Sequence, residues 1–184
     1  GPCEGELTHV PAKLLGGLGD YRAASRPGGP SLVWTHAGVQ VCDEQVQRCR
    51  TLAFPGVVQL ALWDRNAPRA VILAASGEVM LYDEPSDTIW PLERASAGGV
   101  QQLVWVDGLV VALNVRNEVF VYDTDGSEVG RFALEGTGPT RLGTVGRDLW
   151  ILREDGVRIV RLHPPEVPPM VRTNNGIGAL EGTG

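Results

Sequence analysis

The residues of greatest chemical interest in this sequence are its three cysteines, Cys3, Cys42 and Cys49. Cys42 ends one strand-like segment, and Cys49 begins the next one after the turn-like stretch 43–48. In an antiparallel hairpin two such residues can face each other, with Cα atoms near the ~5.5 Å that a disulfide prefers. The spacing therefore favours a Cys42–Cys49 disulfide, and two thiols packed beside a turn are the alternative.

The state of these cysteines bears on cellular location. A disulfide suits an oxidising compartment outside the cytoplasm, whereas free thiols suit the reducing cytoplasm, so both locations stay open. The sequence has neither Cys-x-x-Cys spacing nor a cluster of Cys and His, which are the usual signs of a zinc site. We therefore expect no metal and no cofactor.

The histidines and the acidic loops offer no assembled catalytic set. His9, His36 and His163 lie in distant segments, and no Ser/His/Asp or Cys/His arrangement follows from their spacing. The stretch DTDGSE at 123–128 contains three carboxylates, but Asp-Gly between strands is first of all a tight-turn signature. We therefore expect a protein that is not an enzyme; an enzyme that uses a central channel is a further alternative.

Composition narrows the classes of partner. The net charge is −6, with 16 Lys and Arg against 22 Asp and Glu, and this balance argues against nucleic-acid binding. No apolar run approaches the ~20 residues that a transmembrane helix needs. The 24 glycines and 13 prolines favour many turns over long helices, and 184 residues fit one domain.

An internal repeat organises the chain. GEVMLYDEPSDTIWPLE at 77–93 resembles the segments at 117–135, 38–54 and 156–172. The steps between the equivalent valines are 40, 40 and 38 residues, and periods near 40 are typical of stacked supersecondary units. The anchoring residues are Val39, Val79, Val119 and Val157.

Each repeat divides into four strand-like segments, which predicts four-stranded antiparallel blades at about 20–56, 57–97, 98–138 and 139–172. Segments such as RAVILAA and LVVALNV are apolar on both faces, as in strands that are covered from both sides. The five tryptophans fall in predicted strands, where burial between blades is expected. The predicted fold class is all-β, a β-propeller; a sandwich or stacked hairpins would be the alternative.

The second and third repeats resemble blades of the WD-repeat family. That family places a Trp-Asp pair at the end of its third strand, and Tyr82-Asp83, Tyr122-Asp123 and Cys42-Asp43 hold that place here. The resemblance covers about residues 31–163. The sequence departs from the family in two ways: the family's Gly-His pair is missing from every repeat, and the fourth repeat has Val160-Arg161 where the Trp-Asp pair should be. It implies a rigid platform for binding other proteins and no chemistry.

Whether the ring is complete stays open at this point. HVPAKLL at 9–15 matches the last strand of a blade and could close a small four-bladed ring within one domain at 1–172. Alternatively the chain is part of a larger propeller, because the ending ALEGTG repeats the ALEGTG at 133–138 that leads into another blade. An incomplete ring would allow self-association. We expect the Gly-rich tail at 173–184 to be mobile.

The expected function is a non-catalytic scaffold that binds other proteins through its rim or loops. The turns at 65–68, 106–108 and 145–148 are the candidate surfaces, with Arg65, Arg147 and Asp148 as contacts. The alternative is a propeller that binds a small ligand or a carbohydrate outside the cytoplasm.

Overall fold

The computed structural model describes residues 22–26, 28–36, 38–43, 48–54, 56–92, 99–163, 170–173 and 176–179. These residues form antiparallel sheets joined by short turns. Sheet I comprises β1 (Arg22–Ser25), β2 (Ser31–Thr35), β3 (Gly38–Cys42) and β4 (Cys49–Leu52), and sheet II comprises β5 (Val58–Trp63), β6 (Arg69–Ala74), β7 (Val79–Asp83) and β8 (Thr88–Pro91).

Sheets III and IV continue the series. Sheet III comprises β9 (Val100–Val106), β10 (Leu109–Asn114), β11 (Glu118–Tyr122) and β12 (Glu128–Ala133), and sheet IV comprises β13 (Arg141–Val145), β14 (Asp148–Arg153) and β15 (Gly156–Arg161). In every sheet the strands pair in the order in which they follow along the chain. The β9–β10 turn is set by Asp107 (φ 49°) and Gly108 (φ 79°), which supply the two positive φ angles of a two-residue hairpin.

The sheets pack face to face in chain order. We call the face of a sheet that lies toward the next sheet its leading face, the opposite one its trailing face, and each sheet-to-sheet contact a seam. Three clusters of buried apolar side chains fill the I/II, II/III and III/IV seams. Among their members are Leu32, Trp34, Trp63 and Tyr82 at I/II, Leu73, Leu81, Phe120 and Tyr122 at II/III, and Leu113, Val119, Leu149 and Ile151 at III/IV.

The second strands of sheets II and III explain the doubly apolar segments of the sequence. Every residue of Leu109–Asn114 is buried, as are Ala70 to Ala74, because one side chain in two points into each of the two adjacent seams. The repeat of about 40 residues is thus one sheet plus its connection to the next.

The fourth repeat corrects the predicted architecture. Among the described residues sheet IV has three strands, β13 to β15, where four were predicted, and the described end of the segment at 165–172 that was expected to add the fourth pairs elsewhere. Met170–Thr173 pairs with Gly176–Ala179 in a separate hairpin, which places a paired strand inside the segment predicted as a mobile tail. Prolines 164, 165, 168 and 169 lack the N–H groups that a fourth strand needs for pairing with β15.

Ring closure is not shown by the described residues. The contacts between sheets link consecutive sheets, and sheets I and IV stand at the two ends of the series. The predicted closing strand at 9–15 lies outside the described residues. In the part of the chain that the structure describes, no helix is long and apolar enough to cross a membrane.

Candidate interaction surface

The turns that the sequence indicated as candidate surfaces lie at one edge of the structure, the edge formed by the ends of the strands. Because all four sheets have the same strand order, the turns between first and second strands lie at the same edge of each sheet. The described residues of these turns are 26 and 28–30, 64–68, 107–108 and 146–147. We define the charged rim as five charged residues of this edge, namely Arg65, Asp107, Arg147, Asp148 and Arg161.

Two ion pairs lie side by side where the rim crosses the III/IV seam. Arg147 of sheet IV donates from Nε to Asp107 Oδ2 of sheet III at 3.1 Å, and its Nη2 lies 3.1 Å from the same oxygen. Arg161 donates to both carboxylate oxygens of Asp148, at 2.8 and 3.4 Å. This bond to Asp148 raises the pKa of the Arg161 guanidinium. Charges of alternating sign therefore lie close together at the sheet IV side of the seam.

The predicted rim residues are only partly brought together. Arg147 and Asp148 adjoin in sheet IV, whereas Arg65 is exposed on the turn of sheet II, two sheets away. In that turn the buried Asp64 accepts the N–H of Asn66 at 3.0 Å, which fixes the loop that presents Arg65.

Asp107 and Arg161 belong to the cluster but were not singled out from the sequence. Asp107 precedes its partner Arg147 by 40 residues, which is the repeat period, so the period was the signal for a contact between equivalent turns of adjacent sheets. Arg161 is the cross-strand neighbour of Asp148, and that register could not be assigned until the strand ends were known.

The cysteine pair lies at the same edge, on sheet I. Cys42 and Cys49 are direct cross-strand partners, and their sulfur atoms lie at bonding distance, 2.18 Å apart. Tyr82 and Tyr122 lie on the trailing faces of sheets II and III, where each packs against the preceding sheet. Cys42 is the equivalent residue of sheet I. Sheet I has no preceding sheet among the described residues, so a disulfide replaces an aromatic contact there.

The outer end of the I/II seam carries a three-residue polar network. Arg50 of β4 donates to the Tyr82 hydroxyl at 2.8 Å and pairs with Asp87, while the Tyr82 hydroxyl donates to Asp87 Oδ1 at 3.0 Å. Burial raises the pKa of Tyr82 to about 12, with the Asp87 bond adding to this rise and Arg50 opposing it. Arg50, and then Tyr82, lower the pKa of Asp87. Since the phenol stays protonated, it works as a structural donor and not as a base.

Two tryptophans tie the inner strands of consecutive sheets. Trp63 donates from Nε1 to the carbonyl of Ala24 at 2.9 Å, and Trp105 donates to the carbonyl of Leu62 at 2.9 Å. At the III/IV seam Gln102 takes over, because it donates to the Thr140 carbonyl and accepts the N–H of Leu142 at 2.8 Å. Trp34, Trp63 and Trp105 are buried, as expected for tryptophans between blades, whereas Trp90 and Trp150 are only half-buried.

The opposite edge carries a groove of about 450 Å³ beside the connection into sheet IV. Its walls include Gln101, Arg116 and the Gly-Thr-Gly-Pro stretch 136–139. Asn114 shapes one side by accepting the N–H groups of Arg116 and Glu118, both at 2.9 Å. The groove is polar and shallow, so it could take a small hydrophilic ligand.

The acidic loop DTDGSE is a turn in the structure. Asp123 Oδ1 accepts the N–H groups of Asp125 at 3.0 Å and Ser127 at 2.9 Å, and Glu128 pairs with Arg131. The Asp123 carboxylate thus stabilises its own loop. Within the described ranges, no three His, Cys, Asp or Glu side chains are grouped as they would be around a metal ion.

Comparison with protein-family models finds no match, and neither does comparison with curated proteins. Solved structures do match. The computationally designed Ika4 protein superposes with a TM-score of 0.62 at 15% identity, covering 82% of this chain and 96% of Ika4. AztD from Citrobacter koseri gives 0.60 at 8% identity, covering 76% of this chain and 43% of AztD.

The Mitotic Checkpoint Complex contains a further match, with a TM-score of 0.60 at 17% identity over 76% of this chain and 45% of that one. This chain therefore spans less than half of these two neighbours and nearly all of the designed protein. The neighbours include WD-repeat β-propeller proteins, and the predicted resemblance to that architecture is confirmed. At these identities the likeness establishes the fold alone: consecutive, radially packed antiparallel sheets of the β-propeller type.

Proposed function

We propose that the chain is a non-catalytic β-propeller scaffold that binds other proteins through the charged rim. The observation that carries this proposal is a set of two ion pairs at one edge, Arg147–Asp107 across the III/IV seam and Arg161–Asp148 within sheet IV. Exposed ion pairs contribute little to folding stability, about 0–1 kcal/mol. Because their side chains are already held in place, they can exchange partners with a docking protein at a small cost in side-chain entropy.

The scaffold beneath the rim supports the proposal. The Asp107–Gly108 turn connects two strands by a two-residue hairpin loop, and the second of these strands, β10, is buried on both faces. Loops on such a rigid support are where binding residues usually lie. The rim carries both signs of charge, from Arg147 and Arg161 and from Asp107 and Asp148. It therefore favours a partner surface that also carries both signs, and such electrostatic complementarity contributes to specificity more than to affinity.

A photo-crosslinking experiment tests this function. A photoreactive residue at position 65 should capture a defined protein from the native host, and the captured band should be identified by mass spectrometry. Arg147→Glu should remove the same band, because it places two carboxylates together. Arg116→Glu, an exposed arginine at the opposite edge, is the matched control and should leave the band unchanged. Equal capture by both variants, or no defined band, would reject the charged rim as the binding surface.

A second candidate function is binding of a small ligand or a carbohydrate outside the cytoplasm. The groove of about 450 Å³ and the sulfur atoms of Cys42 and Cys49 at bonding distance favour it. A glycan-array screen with Gln101→Ala as the control tests the ligand. A thiol count on non-reduced protein tests the compartment, since a bridge leaves Cys3 alone to react.

A further inference from the structure

The groove at the edge opposite the charged rim has a buried hydroxyl at its floor. Thr140 lines the groove and is 8% exposed, whereas the loop 136–139 beside it is exposed. The Oγ1 atom of Thr140 has no hydrogen-bond partner among the described residues. Open space lies where a side chain of residue 138 would stand, which leaves room beside this floor. Because buried polar groups in native proteins are nearly always hydrogen-bonded, the hydroxyl indicates that a ligand group binds here.

Arg116 supplies the charge of the groove. It is the one charged residue among the described residues that line it, and within the described ranges it forms no ion pair. Its main-chain N–H donates to Asn114 Oδ1 at 2.9 Å, which fixes the base of the side chain. A guanidinium binds a carboxylate through two parallel N–H···O bonds. One unpaired arginine therefore matches a ligand with a single carboxylate better than a more highly charged phosphate.

The uncharged walls of the groove suit hydroxyl groups. Gln101 donates from Nε2 to the carbonyl of Asn114 at 3.0 Å, so its Oε1 is left as an acceptor. The main chain of Asn117 is bonded in both directions, since its N–H donates to Asn114 and its carbonyl accepts another main-chain N–H. The side-chain amide of Asn117 is therefore the part that can bind a ligand, together with the hydroxyls of Thr137 and Thr140.

One apolar side chain completes the set of contacts. Val115 lines the groove and is 62% exposed, so it offers a surface on which C–H groups of a ligand can pack. A ligand that fits all of these groups has one carboxylate, several hydroxyls and a face of C–H bonds. Sugar acids combine these three features, and a groove of about 450 Å³ lies within the range of about 300–1,000 Å³ for small-molecule sites.

We propose that the groove binds a sugar acid, with Arg116 at its carboxylate and with Gln101, Asn117 and Thr140 at its hydroxyls. This inference rests on the second candidate function and names its ligand class. The carboxylate fixes the orientation of the ligand, because Arg116 is the one cation at the groove among the described lining residues. The buried hydroxyl of Thr140 then gains the partner that the protein does not supply.

Titration calorimetry on the full 184-residue chain tests the ligand class. The probes are D-glucuronate and D-galacturonate, their neutral counterparts D-glucose and D-galactose, and acetate as a bare carboxylate. We expect at least one uronate to bind ~10-fold or more tightly than its neutral counterpart and than acetate, because hydrogen bonds between charged groups are the strong ones.

The outcomes separate the ligand class from the second candidate function. Equal binding of uronates and neutral sugars would overturn the sugar acid and leave the candidate function standing. Acetate that binds as tightly as the uronates would show an anion site only, which also overturns the inference. If no sugar in the set binds, the inference is wrong and the candidate function loses its support from the groove.

Two variants assign the contacts. Arg116→Gln should weaken the uronate to the level of its neutral counterpart and leave the neutral sugar unchanged. Thr140→Val should weaken both ligands by about 2- to 10-fold, the range for one neutral hydrogen bond. The same change should leave stability in urea equal or higher, because it removes a buried hydroxyl that has no partner. Arg22→Gln, at an exposed arginine of sheet I, is the matched control and should leave both affinities unchanged.

Each variant can contradict the assignment. Uronate binding that survives Arg116→Gln at full strength would show that the carboxylate is held elsewhere. A loss of stability in Thr140→Val, with ligand binding unchanged, would show that the hydroxyl serves the fold and not the ligand. Either result would overturn the site as proposed.

Discussion

The I/II and II/III seams fill the same gap between two sheets with different groups at their outer ends. Near the inner strands they agree, because a tryptophan indole donates to a backbone carbonyl of the preceding sheet in both. Toward the outer strands, the I/II seam uses the network of the buried Tyr82 with Arg50 and Asp87. The II/III seam instead brings the Gly126 turn close to Pro91 and Trp90. In these two seams the inner part therefore uses one kind of contact, whereas the outer part uses two different ones.

The largest loss of stability should come from truncating a buried side chain in the inner part of the II/III seam. Leu73 is 0% exposed, so Leu73→Ala should lower the free energy of unfolding by about 2–5 kcal/mol. Leu152 holds the same place in sheet IV and is 37% exposed, so Leu152→Ala should cost less than about 1 kcal/mol. Urea denaturation of both variants makes the comparison. Equal losses would show that sheet IV is covered.

The close approach at the outer end of the II/III seam should give the next effect. A Cβ at Gly126 would lie 2.9 Å from the Pro91 carbonyl oxygen, and φ there is +89°. Gly126→Ala should therefore cost about 2–4 kcal/mol, combining left-handed backbone strain with a steric clash. Gly108 has φ +79° with open space around it, so Gly108→Ala isolates the backbone strain. If the two variants unfold at the same temperature, the turn is not in contact with sheet II.

The shared tryptophan bonds should give a smaller and nearly equal effect in the two seams. Trp63→Phe and Trp105→Phe each remove one N–H···O bond and some buried area, so each should cost about 1–2 kcal/mol. Thermal unfolding of both variants, with Trp150→Phe on the exposed leading face as the control, tests the equivalence. A loss confined to one variant would show that the inner parts of the seams are not interchangeable.

The smallest effect should come from the exposed Arg50 network, and it should depend on pH. Arg50 and Tyr82 lower the pKa of the Asp87 carboxyl, so the stabilisation is present above its ordinary pKa of 3.8 and is lost as pH falls through the lowered value. The difference in unfolding temperature between the protein and Arg50→Met should therefore vanish in acid. A difference that persists in acid would mean that Arg50 acts by packing alone.

The same network should also affect stability at alkaline pH, through the titration of Tyr82. Since the pKa of Tyr82 is raised from 10.0 to about 12, its stabilising effect should be complete below pH 10 and lost as pH rises through about 12. Ultraviolet absorbance of the phenolate measures this titration, and the difference spectrum against Tyr82→Phe isolates the residue. A transition near pH 10 for Tyr82 would show that its ring is not held in the I/II seam.

The sequence predicted the parts of the fold that repeat. The period placed sheets I to III and the rim turns correctly, because apolar alternation and turn residues recur every 40 residues or so. It did not identify features that occur once. Arg50 contacts Tyr82 across the I/II seam, but no equivalent arginine marks the other seams, and the close approach at Gly126 depends on how two sheets pack. The period also predicted a fourth strand for sheet IV at 165–172, whereas the described residues of sheet IV form three strands; the prolines of that segment, which cannot donate to a neighbouring strand, were the sequence signal against it.

The indole donors have a practical consequence for spectroscopy. Trp63 and Trp105 each sit at one sheet-to-sheet junction, with the ring nitrogen bonded to a main-chain oxygen of the neighbouring sheet. Opening a junction exposes that indole to water and should shift its fluorescence to longer wavelength. Variants that keep only Trp63 or only Trp105, with the other four tryptophans replaced by phenylalanine, would report separately on each junction, so the order in which the sheets come apart can be observed directly.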